Sequence, residues 1–257
     1  MAALLLFLAV TVTQLLDVGV SLSHWYNSEF NWRSREYKKL TGLHSDFTLA
    51  AFQRVIGPPT LEIRQKRWTT YVYHGRDWWA QAITHHGAST VGFYSVTSCS
   101  SSFRPTFQLS GIGPITLYRS NVLERPNTSS ALHEFRGDFA MRYMVPVDSV
   151  GSFFAITPDA HPFNFKSYAW GANGACPGAV RLTGNDYQLF RGNYAGTVPL
   201  SKISRAMASR ISVNTFAEWG PTEYKLPPGM LLGVDEVSIN TIAGRCIAGC
   251  LGNVDSR

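Results

Sequence analysis

Seven histidines are the first groups to weigh for chemistry: His24, His44, His74, His85, His86, His133 and His161. A zinc site needs ligands at short fixed spacings, such as a His-x-His with a nearby carboxylate or a His-Glu-x-x-His turn on one helix face. Neither spacing occurs in this chain. His85 and His86 are adjacent, and adjacent side chains on a strand leave by opposite faces, so the two do not chelate together. No metal site is expected. Nucleophiles fare no better. The chain has no Gly-x-Ser-x-Gly elbow, and Cys99 stands in a Ser-rich stretch (SCSSS) with no base beside it. Gly111-Ile112-Gly113-Pro114 lacks the Lys and the helix opening of a phosphate loop, so it reads as a turn. A carboxylate pair of the glycosidase kind would have to be assembled by the fold, and no motif marks one. The chain is therefore read as a non-enzyme, with no catalytic residue and no cofactor.

Binding chemistry has better candidates. Arg33, Arg35, Lys38 and Lys39 interleave with Trp32 and Tyr37. Cations at that density neutralise phosphates while rings stack on bases, and about four such contacts give weak, salt-sensitive attraction without sequence readout. The competing reading of the same residues is a solvated face or an inter-subunit contact. Arg136-Gly137-Asp138 is the tripeptide some surface proteins offer to receptors; its plainer reading is a strand entry, with Gly relieving backbone crowding before Phe139. Trp78, Trp79, Trp170 and Trp219 are candidate sugar-stacking platforms, and Asn127-Thr128-Ser129 is a glycosylation sequon.

The chain that must position these groups has 257 residues, 45% apolar and 13% aromatic but only 16% charged. Disorder, coiled coil and long solvated helices all need far more charge, so they are excluded. The net charge of +6 tolerates anionic partners but is too dilute for a dedicated nucleic-acid binder. Ala2 to Val12 is almost wholly apolar. Eleven residues are too short to cross a bilayer as a helix, which takes about 20. The length suits a secretory signal with small residues at Ser21 or Ser23, or equally a structural arm docked on a partner. Four Cys (Cys99, Cys176, Cys246 and Cys250) allow three pairings or four free thiols.

Residues 1–56 are read as an N-terminal arm, with one short helix over 45–55 capped by Ser45 or Asp46 and ended by Gly57-Pro58-Pro59. From there to residue 257 the sequence changes to short runs rich in β-branched and aromatic residues. Strands are expected at 60–64, 70–73, 78–83, 89–96, 106–109, 139–147, 152–157, 179–183, 210–216, 231–239 and 245–248, with helices at 115–123 and 200–209. Short strands without alternating βα units predict an all-β domain: an antiparallel β-sandwich, and with such long loops an eight-stranded jelly roll.

The order of segments resembles the capsid proteins of picorna-like positive-strand RNA viruses. The resemblance lies in Pro59-Thr60-Leu61-Glu62-Ile63 leading to Trp68-Thr69, in Phe135 to Tyr143 (FRGDFAMRY), and in Gly151 to Pro158 (GSFFAITP). Ile211 to Phe216 and Gly229 to Val234 stand where the later strands would fall. It implies a structural subunit of an icosahedral virion that assembles with other capsid proteins, with the basic arm against genomic RNA and a host receptor outside. On that reading the surplus of rings serves large interfaces. The alternative is a secreted β-sandwich module that binds a carbohydrate or other ligand, which uses the signal-like start, the sequon and the cysteines together. A third reading makes the first segment a membrane anchor.

Overall fold

The computed structural model describes residues 31–109, 113–123, 139–144, 151–157, 166–190, 195–220 and 231–250, with the backbone only at 243 and 245–250. The apolar start, the sequon and Arg136-Gly137-Asp138 lie outside the described residues. Two compact units divide the chain, Met1–Lys39 and Leu40–Arg257. The second therefore takes in residues 40–56, which the sequence reading assigns to the arm.

The described part of the first unit lies in helix α1 (Trp32–Thr41), whose last two residues belong to the second. In the second unit α2 (Leu49–Ile56) begins at Thr48, whose side chain accepts a hydrogen bond from the Ala51 N–H at 3.2 Å. The expected caps do other work: Ser45 is fully buried, and Asp46 adopts a left-handed backbone with φ of 89°. Gly57, at φ 89°, ends the helix as expected.

Eleven strands follow among the described residues: β1 (Leu61–Arg64), β2 (Trp68–His74), β3 (Trp78–His85), β4 (Val91–Ser98), β5 (Thr106–Leu109), β6 (Gly113–Thr116), β7 (Ala140–Met144), β8 (Ser152–Ile156), β9 (Ser167–Ala172), β10 (Ala195–Pro199) and β11 (Thr215–Trp219). Nine form one antiparallel sheet in the order β1-β2-β3-β4-β11-β9-β8-β7-β10, and β5 pairs with β6 as a separate hairpin. The described architecture is thus mostly β and antiparallel, with few helices.

The burial of each strand follows its place in the sheet. β3 and β4 lie inside and are buried on nearly every residue, whereas the edge strands β1 and β10 alternate. The edges carry features that discourage further pairing: Arg64 bonds to Glu62 on β1, and β10 ends in Pro199. On one face Ile83, Phe93, Phe154, Ala169 and Ala217 pack together with Leu232. On the other, Phe216 stacks on Phe107 of the hairpin at 4.3 Å, and Tyr94 meets Phe52 of α2 edge-on at 5.8 Å. Phe190 covers Tyr143 and Phe153 on that second face.

Four expectations are corrected here. Residues 115–123 are not a helix: Ile115 pairs with Phe107 in the hairpin and turns follow. The stretch 200–209 breaks into a 3-10 turn (Leu200–Lys202) and α4 (Arg205–Ala208), the latter capped by the Ser204 hydroxyl; the four-residue helix Gly184–Tyr187 is α3. Residues 179–183 make a single bridge, Val180 to Ile211, instead of a strand. Residues 231–235 cross the sheet without pairing into it, and α5 (Glu236–Cys250) replaces both strands expected beyond. Asp235 starts it by accepting from the Ser238 N–H, while Ile239 and Ile242 pack with Val72 and Trp79. Strands β6, β9 and β10 were not expected at all.

β9 depends on close backbone approach. A Cβ on Gly171 would stand 2.0 Å from the Phe153 carbonyl oxygen and 2.7 Å from the Phe154 Cα. Gly171→Ala is expected to cost about 1–3 kcal/mol by forcing β8 and β9 apart, read as a lowered urea midpoint.

Candidate functional site

Three groups of residues merit description as sites. The first is α1. Arg33, Arg35, Lys38 and Lys39 are exposed, Tyr37 is half-buried, and Trp32 is buried with the Arg33 guanidinium 5.2 Å from its ring centroid. Lys39 is paired with Glu36 at 2.8 Å. The helix thus presents cations, while the buried Trp32 ring is less open to stacking than the sequence suggests.

The second group is a buried carboxylate. β11 alternates so that Phe216 and Glu218 enter the same covered face, with Glu218 opposite Tyr94 on β4 and Tyr168 on β9. A lone carboxylate there would be costly, and the 44–46 turn satisfies it. Oε1 accepts from the Ser45 N–H at 2.8 Å, the Ser45 hydroxyl at 2.9 Å and Lys166 Nζ at 2.9 Å. Oε2 lies 3.2 Å from His44 Nδ1, and Lys166 also reaches Asp46 at 3.4 Å. Burial pushes the Glu218 carboxyl up, but the His44 hydrogen bond and the charge and hydrogen bond of Lys166 outweigh it, leaving the group below the usual range. A carboxylate orienting an imidazole is half of a catalytic triad. The Ser45 hydroxyl, however, is engaged with the carboxylate and not with the ring. The arrangement works as a knot that ties the 44–46 turn to the sheet.

The third group lines a small solvent-open depression whose wall includes Arg142, Met144, Ser152, Phe154, Leu231 and Leu232. Arg142 faces Phe154 across β7 and β8, and Met144 faces Ser152, so these four share one face of the sheet. The Arg142 guanidinium has no acidic partner among the described residues, and burial pulls its pKa down. The Ser152 hydroxyl oxygen accepts from the Gly174 N–H at 3.1 Å, which leaves its own hydrogen to donate.

Among the described residues, no three His, Cys, Asp or Glu side chains are grouped to hold a metal. No helix among them is long and apolar enough to cross a membrane. Cys99 and Cys176 are joined by a disulfide, one pair of the several left open by the sequence. The side chains of Cys246 and Cys250 lie outside the described residues. The candidate sugar platforms are mostly withdrawn into the core: Trp78, Trp79 and Trp170 are buried, and Trp219 is half-buried against Phe93. Among the described residues, most of the aromatic rings are likewise buried or half-buried. Among the described residues, the exposed large apolar side chains are Phe47, Val55 and Val237.

Glu218 and Arg142 were not singled out from the sequence, although a signal was present. Each is a single charge inside an apolar strand, TFAEW and AMRYM, where a charge needs a partner or a purpose.

No family model, curated protein or solved structure matches the chain.

Proposed function

We propose that the chain is a disulfide-bridged β-sandwich binding module that matures in an oxidising compartment. The observation that carries this reading is the Cys99–Cys176 bridge. Structural disulfides persist in secreted proteins and on cell or virion surfaces and are rare where thiols are kept reduced. The signal-length apolar start and the sequon point the same way. The internal placement of the rings also suits a module that folds on its own core. To test it, the full chain is passed through a secretory cell and its product mapped without reduction. A new N-terminus near Ser21 or Ser23 and a peptide linking Cys99 to Cys176 are expected. An uncleaved chain with both thiols open to alkylation overturns the reading.

A second reading, the viral capsid subunit, is favoured by the exposed cations of α1. Its finer expectation is a jelly roll, in which the strands would divide between two facing four-stranded sheets. Particle formation with sister chains supports it, as does RNA co-sedimentation that weakens steeply with salt. Free chain under conditions that preserve shells argues against it.

A further inference from the structure

Positive charge gathers where two neighbouring hairpins of the sheet turn. Lys66 and Arg67 occupy the β1–β2 turn, which the Gln65 N–H closes onto the Trp68 carbonyl at 2.9 Å. His85 and His86 open the β3–β4 turn, and the His86 N–H donates to the Arg67 carbonyl at 3.1 Å, so the two turns lie side by side. Arg64, Lys66, Arg67, His85 and His86 are all exposed. The four strands β1 to β4 and these two turns carry one carboxylate, Glu62, and Arg64 takes it at 2.7 Å. Asp46, whose N–H donates to the Val91 carbonyl beyond the second turn, is held by Lys166 at 3.4 Å. Lys66 and Arg67 therefore have no acidic partner among the described residues.

Exposed cations without counter-charges attract anions, and their layout says which kind. The turns are two strand spacings apart, roughly 10 Å, which matches several charges along one extended chain better than a single small anion. Single-stranded nucleic acid calls for exposed rings on which its bases stack. Trp68 and Trp219, at this end of the sheet, instead pack against the core cluster of Ile83, Phe93 and Leu232. A sulfate group asks only for charge and N–H donors. The Arg67 guanidinium can meet an oxyanion through two parallel bonds, Lys66 supplies a point charge, and each imidazole adds a ring N–H.

We propose that the β1–β2 and β3–β4 turns form a docking surface for a sulfated polysaccharide, with Lys66 and Arg67 as its main contacts and Arg64, His85 and His86 beside them. The proposal rests on the reading of the chain as a binding module of an oxidising compartment, and names the ligand class.

The test titrates the full chain by calorimetry in about 0.15 M salt with a heparin oligosaccharide, with a hyaluronate oligosaccharide of the same length, which has carboxylates but no sulfate, and with oligouridylate. Heparin is expected to bind saturably and at least about tenfold tighter than either of the others, the margin that one further charge-assisted bond supplies. Lys66→Gln combined with Arg67→Gln is expected to weaken heparin binding by about tenfold or more and to lower its salt slope by about two, one for each cation removed. Lys202→Gln combined with Arg205→Gln removes the same charge from exposed positions that follow β10, the opposite edge of the sheet. That variant is expected to bind within about twofold of wild type, because its cations lie beyond the screening length. Absence of saturable heparin binding overturns the proposal. So does equal affinity for hyaluronate, or equal or tighter binding of oligouridylate, which would make this a nucleic-acid surface. Equal losses in the two double variants also sink it, since net charge and not these turns would then be acting. The comparison of ligands on the wild-type chain needs no variant to fold. Peptide mapping reports the disulfide and the N-terminus separately, so failure here and failure of the oxidising-compartment reading are told apart.

Discussion

Glu218→Ala is expected to destabilise the folded chain by about 3–5 kcal/mol, measured as the fall in unfolding free energy in urea. Glu218 is 2% exposed, and four groups converge on its two oxygens: His44, the Ser45 N–H, the Ser45 hydroxyl and Lys166. Removing the carboxylate strands Lys166 and the buried Ser45 N–H together, so the loss exceeds that of one hydrogen bond, about 0.5–1.5 kcal/mol. Glu218→Gln keeps an acceptor for Ser45 but loses the charge, and is expected to fall between Ala and wild type.

The same knot sets a pH dependence. The folded carboxyl lies below its ordinary value despite the opposing effect of burial. Its contribution is therefore complete above the unfolded value of about 4.3 and is lost as pH falls through the lower folded value. Lys166 acts at the other end. Burial pulls it down, but its bonds and charge contacts with Glu218 and Asp46 leave it raised. That stabilisation is complete below the unfolded value of about 10.4 and fades as pH rises through the folded one. The stability gap between wild type and Glu218→Ala should thus narrow in acid and again in strong base. A gap that stays constant from pH 3 to 7 would show that the carboxylate acts by shape alone.

The second large effect concerns the disulfide. Cys99→Ser combined with Cys176→Ser is expected to cost about 4–5 kcal/mol, the chain-entropy value for a closed loop of this length; the cysteines are 77 residues apart. The bridge joins the segments that leave β4 and β9, the two neighbours of β11, and so holds three strands at one end. Polar contacts there already define the geometry. The Asn173 N–H donates to Asn214 Oδ1 at 2.7 Å, the Asn173 amide donates to the Val234 carbonyl, and the Thr215 hydroxyl donates to Thr97. The double variant should accordingly keep its native fold below the melting transition while unfolding at lower urea. Unchanged stability would mean that these contacts alone hold that end of the sheet.

Legibility varied along the chain for physical reasons. β2 to β4 and β8 were readable because buried strands are dense in β-branched and ring residues. β9 was missed: its sequence SYAWGA includes Ala169, Gly171 and Ala172, which have low strand propensity, and Gly171 is required by the closeness of the β8 backbone. α5 was misread as strand because Val237, Ile239 and Ile247 are β-branched. The spacing of Ile239 and Ile242 is nonetheless helical, and their packing with Val72 and Trp79 favours that outcome.

The sequence by itself determined the class, a mostly antiparallel β chain with a core large enough to fold, because alternation and ring content are local properties. Only the tertiary structure decided which charges are buried, which cysteines meet and where the rings go. Glu218 finds Ser45 across 173 residues and Cys99 finds Cys176 across 77. Arg142, between them in the sequence, meets no acid among the described residues. Such pairings depend on which strands become neighbours, and strand order is a long-range outcome that no window of sequence contains.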